Sequence, residues 1–181
     1  GDVKNVPGDE LEDALNSAYS KYGEDDVIIV TRSNKRANLF NQNVCNRIKL
    51  FEEDLCTGDK LMVVKNNYFW LGEEKDAGFI ANGDMAEIKR IRKRQQLYGF
   101  NFTECALKLV DHDDTNELEV KIITDSLFTD APALTTEQQQ NLFNEVMLDC
   151  EDVPEKWKKM LYLKKNPFFN ALQVKFAYAV T

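Results

Sequence analysis

Histidine and cysteine are scarce in this sequence, which limits its metal chemistry. There is one histidine, His112, and the four cysteines are spaced too widely for a Cys-x-x-Cys pair. A structural zinc site takes four clustered cysteine or histidine ligands. The sequence therefore predicts no metal site, and we expect the thiols to be reduced, as they are in cytoplasmic proteins.

Long apolar runs and known catalytic arrangements are also missing. No run approaches the roughly 20 apolar residues of a membrane-spanning helix, and Gly1–Lys4 does not resemble the start of a secretory signal. We therefore expect a cytoplasmic protein without a membrane partner. The sequence contains no Gly-x-x-x-x-Gly-Lys-Ser/Thr phosphate-binding loop and no convincing nucleophile–base pair. A complete small enzyme is thus not expected.

The charge is acidic overall and unevenly placed. Thirty-one acidic side chains against 23 basic ones give a net charge of −8, whereas a nucleic-acid-binding domain is usually basic. Acidic residues concentrate in 1–26 and 111–155, and basic residues concentrate in Lys89–Arg94 and Lys156–Lys165. The basic runs fit either a phosphate contact or a solvated face, and composition does not choose between them.

The first fifty residues follow a helix–strand–helix pattern. Apolar residues recur at helical spacing from Leu11 to Tyr22, and Gly23 favours a helix end. Val27–Val30 is a short apolar run typical of a strand buried in a parallel sheet. Ser33 or Asn34 then predicts the cap of a second helix.

The middle of the chain has the alternation of short strands, and helices follow it. The strand-like runs are 60–65, 79–81, 85–88, 98–102, 105–109 and 118–122. Asn82–Asp84 predicts a tight hairpin between 79–81 and 85–88. Helices are predicted from Thr135 or Thr136 and from Pro154, and Trp157 with its neighbouring lysines is interpreted as an amphipathic helix packed on the domain. Residues 172–180 resemble one more buried strand, which we expect to pair with 27–31.

Three segments resemble one family of DNA helicases. Val30–Ala37, followed by Asn38 and Asn41, resembles motif IV of superfamily 1 helicases. Gly58–Tyr68 and Ile80–Asp84 resemble the "GD-x-V-M … N-x-Y … NGD" stretch of RecD-like helicases. The tail from Asn170 to Thr181 is similar to the strand that feeds motif V, where a His-Lys-x-Gln-Gly sequence follows in the family.

The resemblance implies a fold and a domain arrangement. Residues 1–57 and 166–181 would form an α/β fragment, part of a RecA-like second motor domain. Residues 58–165 would be an inserted SH3-like β-barrel with extra helices, so the chain would be α+β overall. Some relatives are described as the alpha subunit of exodeoxyribonuclease V, but no nuclease residues are visible in this chain.

The resemblance also implies a function for a longer parent protein, an ATP-dependent DNA helicase that hydrolyses ATP. The parent would use ATP and magnesium, whereas this fragment alone is expected to be inactive and to bind neither. The expected partners are single-stranded DNA, the remaining helicase domains of the same parent chain, and possible further subunits of recombination and repair complexes.

Arg32 is the candidate catalytic residue, because it follows a buried strand at the edge where α/β proteins bind ligands. By resemblance it would reach the γ-phosphate of ATP, with Lys35 as a second nucleotide contact. The predicted DNA-binding residues are Asn34, Arg36, Asn66, Asn67, Tyr68, Trp70, Arg92 and Thr181. Other roles stay open: an ion pair for Arg32, a helix cap for Asn34, a solvated helix face for Lys35 and Arg36, core packing for the aromatic residues, and a solvated strand edge for Arg92.

A second hypothesis is a stand-alone SH3-like module that binds protein without catalysis. The acidic net charge and the aromatic cluster at 68–70 favour it. Binding to a single strand that weakens steeply with salt would support the helicase hypothesis, and peptide binding that salt does not affect would support the module.

Overall fold

The computed structural model describes residues 3–23, 26–44, 54–71, 78–110 and 117–181. The chain is α+β and divides into two compact units. We call residues 1–51 with 178–181 the terminal unit, and residues 52–177 the central unit. His112, Cys45 and the acidic residues between 111 and 116 lie outside the described residues.

The helices and strands follow one another in this order: α1 (Leu11–Tyr22), β1 (Ile29–Val30), α2 (Asn34–Asn43), β2 (Lys60–Val63), β3 (Met85–Leu97), β4 (Phe100–Leu109), β5 (Leu118–Ile123), α3 (Asp125–Phe128), α4 (Thr136–Leu148), α5 (Lys156–Lys165), β6 (Val174–Phe176) and β7 (Ala179–Val180). A short 3-10 turn at Gly8–Glu10 precedes α1. None of the helices that the model describes is long and apolar enough to cross a lipid bilayer.

The terminal unit contains a two-stranded parallel sheet. Ile29 of β1 pairs with Ala179 of β7, and Val30 pairs with Val180. Gly23 ends α1 with a φ of 84° that suits glycine, and its N–H donates to the carbonyl of Tyr19. The predicted pairing of the two distant segments is confirmed. The predicted burial of the first strand is wrong, because Ile28 and Val30 are exposed.

The central unit is built on a five-stranded antiparallel sheet with the order β5-β4-β3-β2-β6. Tyr98 and Gly99, with φ angles of 54° and 75°, form the tight turn between β3 and β4. The ladder does not close into a barrel within the described residues. The two edges do meet at one point, where Ile122 of β5 forms a parallel bridge with Leu172 just before β6.

Helices α4 and α5 pack on this sheet through one apolar cluster. Of the two predicted caps, Thr135 and Thr136, it is Thr135 that caps α4, in a reciprocal box with Gln138. The buried members of the cluster are Phe100, Phe102, Ile123, Leu134, Leu142, Val146, Leu163 and Ala171. The helical part therefore belongs to the core of the central unit.

Two predictions about strands are wrong. Residues 79–81 do not pair with 85–88: β3 pairs with β2 instead, and Asn67 bridges Ile80. A turn does lie between Ala81 and Asp84, with Gly83 at a φ of 102°. The tail is not one strand, because β6 joins the central sheet and β7 joins the terminal sheet.

Candidate functional site

The rim of the terminal unit brings together residues that are far apart in sequence. The Thr31 N–H donates to the Val180 carbonyl over 2.8 Å, which aligns the carboxyl ends of β1 and β7. The Thr181 hydroxyl then donates to Asn34 Oδ1 over 3.0 Å. Arg32 lies between these contacts in sequence and is exposed. We call Arg32, Asn34 and Thr181 the rim.

Two polar side chains hold the rim's backbone in place. Ser33 caps α2, because its hydroxyl oxygen accepts the Arg36 N–H over 3.4 Å. Asn41 is buried and contacts Ala179 twice: its Nδ2 donates to the carbonyl over 3.0 Å, and its Oδ1 accepts the N–H over 2.6 Å. The amide of Asn41 thus joins α2 to β7 where the rim begins.

The cationic side chains near the rim face solvent. Arg32, Lys35 and Arg36 are all exposed, and none has a carboxylate partner among the residues that the model describes. An anion could approach the Arg32 guanidinium without first breaking a salt bridge to a described residue. A contact with nucleotide or DNA stays a prediction for all three.

A second candidate lies in the central unit, where a cleft of about 530 Å³ opens between the segment after β2 and helices α4 and α5. Two lysines, Lys65 and Lys164, line it, and its described lining contains no aspartate or glutamate. The lining residues are Lys65, Asn66, Asn67, Tyr68, Phe69, Gln139, Leu142, Lys164, Phe169, Asn170, Ala171 and Gln173. In a chain of net charge −8, this is a local concentration of positive charge.

Hydrogen bonds inside the protein fix one wall of this cleft. Asn67 Nδ2 and Trp70 Nε1 both donate to the Asn170 carbonyl, over 2.8 and 2.9 Å. Asn67 Oδ1 accepts the N–H of Phe69 over 3.0 Å, and Asn66 Oδ1 accepts the N–H of Asn82 over 2.7 Å. These predicted DNA contacts are thus committed in large part to holding the cleft's shape.

Tyr68 has the most accessible ring of the cleft, with 69% of its surface exposed. It packs against Phe79, with ring centroids 4.9 Å apart and planes inclined by 30°. Exposed, supported aromatic rings are the kind on which unpaired bases stack. Of the predicted cluster, Tyr68 is the residue placed to contact a ligand directly.

Lys65 projects into the same cleft. Its Nζ donates to Gln139 Oε1 over 2.9 Å, and burial lowers the pKa of Lys65 below its ordinary value. Partial burial of an ammonium group is unfavourable unless an anion or acceptor compensates for the lost water. Gln139 already provides one such acceptor, and Lys65 as a whole is exposed, so an anion could reach it from the solvent.

Part of the basic run on β3 is paired with carboxylates of the protein. Arg90 and Arg92 both donate to Glu119 on β5, and the bond from Arg92 holds the pKa of Glu119 below its ordinary value. Arg94 Nη2 donates to the Leu55 carbonyl over 2.6 Å. Irregularities in the pairing of β3 with β4 lie between Ile88 and Arg90 and between Ile91 and Lys93, so the side chains of this run do not alternate regularly between the two faces. Arg92 lies outside the cleft, and its guanidinium already donates a hydrogen bond to Glu119.

Sequence reasoning missed the exposed face of α5. Trp157 is 64% exposed, and Met160 and Leu161 are each 43% exposed, so the predicted packing of Trp157 on the domain is wrong. Leu163 is the buried residue of this helix. The helical spacing of Trp157, Met160, Leu161 and Lys164 identifies a stripe but not which way the stripe faces.

Comparisons with known proteins bring no assignment, since neither models of protein families nor curated proteins match the chain. No group of three or more histidine, cysteine, aspartate or glutamate side chains is placed to hold a metal ion in the described part of the chain. The candidate surfaces are therefore judged on their own geometry.

Proposed function

We propose that the chain is part of a RecD-like superfamily 1 DNA helicase. In this proposal the terminal unit belongs to a RecA-like second motor domain, and the central unit is an SH3-like insertion with added helices. The longer parent works in the cytoplasm, hydrolyses ATP and moves along single-stranded DNA. This chain contributes contacts to the strand and an arginine to the ATP site.

The parallel pairing of β1 with β7 carries the proposal. The segment similar to motif IV and the segment similar to the strand before motif V are about 150 residues apart, yet they lie side by side in register. Their carboxyl ends meet at the rim, the edge at which open α/β sheets bind ligands. The contact between Thr181 and Asn34 joins the two motif-like segments directly.

The insertion is supported by the topology of the central unit. All of its residues fall between β1 and β7 in the chain, and it has its own core. The bridge between Ile122 and Leu172 brings the edges of the five-stranded sheet together at one point, as in a partly open small barrel. The α4–α5 pair is an addition packed on that sheet.

Arg32 supplies charge to a neighbouring ATP site in this proposal. An arginine that reaches the transferred phosphoryl group stabilises the charge that develops there. Lys35 is a second candidate for the nucleotide phosphates. ATP and magnesium bind to the parent's other motor domain, so the chain alone neither hydrolyses ATP nor unwinds DNA. The remaining helicase domains are its first partners, and recombination or repair subunits are further candidates.

The single strand is the ligand proposed for Tyr68 and for the cations of both units. Tyr68 offers a face for an unpaired base, and Asn34, Arg36 and Thr181 are candidates for backbone contacts near the rim. Asn66, Asn67 and Trp70 act chiefly by shaping the cleft. Arg92 is already paired with Glu119, so a phosphate would compete with that carboxylate.

The proposal is tested by equilibrium binding of a labelled oligothymidylate to the chain over a series of salt concentrations. The logarithm of the association constant should fall linearly with the logarithm of salt, with a slope of about −0.7 for each phosphate neutralised. The matching duplex should bind more weakly, because its bases are not free to stack on Tyr68. Absence of binding, or binding that salt does not change, contradicts the proposal.

A protein-binding module is the second candidate, and one observation favours it. The exposed apolar side chains of α5 are of the kind enriched at protein interfaces. An acidic or apolar peptide that binds equally well at low and high salt would support this candidate over the helicase proposal.

A further inference from the structure

The exposed stripe of α5 is continuous with the cleft of the central unit. Lys164 lines the cleft and also borders the surface formed by Lys156, Trp157, Met160 and Leu161. Since the helix rises about 1.5 Å per residue, Lys156 and Lys164 are roughly 12 Å apart along its axis. One surface therefore leads from Tyr68, past Lys164, to Trp157.

The charged side chains along this surface differ in whether a described residue pairs with them. Glu155 lies at one end, but it is paired with Lys158 over 2.6 Å. Lys156 and Lys164 have no carboxylate partner among the described residues. A polyanion could therefore bind both lysines without displacing a salt bridge to any described residue.

The aromatic side chains are exposed where the charges are. Tyr68 is 69% exposed at one end and Trp157 is 64% exposed at the other. Contiguous exposed apolar surface usually marks a binding site. Aromatic rings interleaved with cations are the arrangement by which proteins bind single strands without regard to sequence.

We propose that α5 extends the cleft into a track for single-stranded nucleic acid, with Trp157 and Tyr68 stacking on bases and Lys164 and Lys156 contacting phosphates. The inference rests on the proposed function and adds a surface in the helical addition, outside both the rim and the SH3-like sheet. Met160 and Leu161 lie between Trp157 and Lys164 on the helix and supply apolar surface to the track.

An acidic peptide is the competing occupant, and the shape of the surface argues against it. High-affinity peptide sites centre on deep pockets that exclude water. The surface at Trp157 is open, and its lysines are strung along the helix rather than gathered round one pocket. A strand with regularly spaced phosphates matches that distribution better.

The test measures binding of a fluorescent oligothymidylate of about 16 nucleotides, which is long enough for one small domain. Trp157→Ala and Lys164→Glu should each weaken binding roughly tenfold, because one removes a stacking platform and the other replaces a phosphate contact with a repulsive charge. Both residues are exposed, and circular dichroism checks that the variants stay folded.

Matched controls separate the track from general charge and aromatic content. Lys108→Glu changes the same charge on the outer side of β4, and Tyr22→Ala removes an exposed ring from the terminal unit. Both should bind as the unaltered chain does.

The possible results distinguish the two proposals. If Trp157→Ala and Lys164→Glu bind normally while Tyr68→Ala binds weakly, the track is wrong and the proposed function stands. If the unaltered chain binds no oligonucleotide, both fail. If a polyglutamate peptide displaces the oligonucleotide at equal charge concentration and depends more strongly on Trp157, the occupant is an acidic peptide and the track is again wrong.

Discussion

The two units of this chain bury their β-strands to very different degrees. In the central unit, all three residues of β6 are buried, and Leu107 and Leu109 of β4 are fully covered. In the terminal unit, Ile28 is 62% exposed and Val30 is 72% exposed. Parallel sheets are normally covered on both faces. The terminal unit therefore presents its candidate phosphate contacts beside a two-stranded sheet whose first strand is exposed. The central unit has a buried core of its own.

The contrast suggests that different forces stabilise the two units. Apolar burial dominates in the central unit, where α4 and α5 cover the sheet. In the terminal unit, a few hydrogen bonds provide much of the stabilisation, above all the two bonds between the Asn41 side chain and the Ala179 backbone. Substitutions of each kind should separate the two contributions.

The largest effect is expected from Phe102→Ala. Phe102 is 1% exposed, and its ring meets that of Phe168 edge-on at 5.1 Å. Removal of a buried phenyl ring costs about 3–5 kcal/mol of the free energy of unfolding. Val30→Ala, at an exposed position of the terminal unit, should cost less than about 0.5 kcal/mol. Urea unfolding measures the free energy of unfolding of both variants. Equal losses for the two would contradict the contrast between the units.

A smaller effect is expected from Asn41→Ala, which leaves the Ala179 N–H and carbonyl without their side-chain partner. The expected cost is about 1–3 kcal/mol, confined to the terminal unit. Hydrogen exchange of the Ile29 and Thr31 amides, which donate to β7 and its flank, should become faster. The matched control is Asn38→Ala on the same helix. If Asn38→Ala accelerates exchange equally, the specific role of Asn41 is refuted.

A third expected effect is a change in pH dependence at Lys175, which is 5% exposed. Burial lowers its pKa to about 8, against an ordinary value of 10.5, although the charge of Asp130 opposes the shift. Between those two pH values the unfolded chain retains a proton that the folded chain has lost, so this residue's contribution to stability rises with pH.

Lys175→Met should remove that pH dependence. The free energy of unfolding of the variant minus that of the unaltered chain should be largest below about pH 8, and it should shrink as the pH approaches 10.5. Lys108→Met, at an exposed position, should give a difference that does not vary with pH. A constant difference for Lys175→Met as well would mean that Lys175 keeps an ordinary pKa in the folded protein.

Local signals in the sequence predict much of the fold. Thr135 or Thr136 predicts the start of α4, and Gly23 predicts the end of α1. The apolar run around Val30 predicts a parallel strand, and the distant tail supplies its partner. These features succeed because caps and short apolar runs depend on few residues and on simple backbone geometry.

Other features depend on tertiary contacts that periodicity does not encode. Gln173 and Lys175 alternate with apolar residues, yet both are buried, because Gln173 accepts the Leu134 N–H and Lys175 donates to the Thr129 carbonyl. The apolar stripe of α5 predicts an amphipathic helix, but Leu163 faces the core and Trp157 faces solvent.

The candidate sites likewise combine residues that the sequence identifies with contacts that depend on the tertiary structure. The sequence identifies Arg32 and Tyr68 by position and type, and both are exposed. It does not indicate that Asn67 and Trp70 would both bond to the Asn170 carbonyl, since that contact joins residues about 100 positions apart. Lys164 and Gln139 enter the cleft only because α4 and α5 fold over it.

The most direct measurement of the central claim is the ATPase rate of the longer protein that we propose as the parent, with Arg32→Ala and with Asn38→Ala as a control from the same segment. The account predicts that Arg32→Ala lowers kcat by about 10³-fold or more while ATP still binds, because the arginine acts on the transferred phosphoryl group. Asn38→Ala should change kcat little. An unchanged kcat for Arg32→Ala would contradict the account.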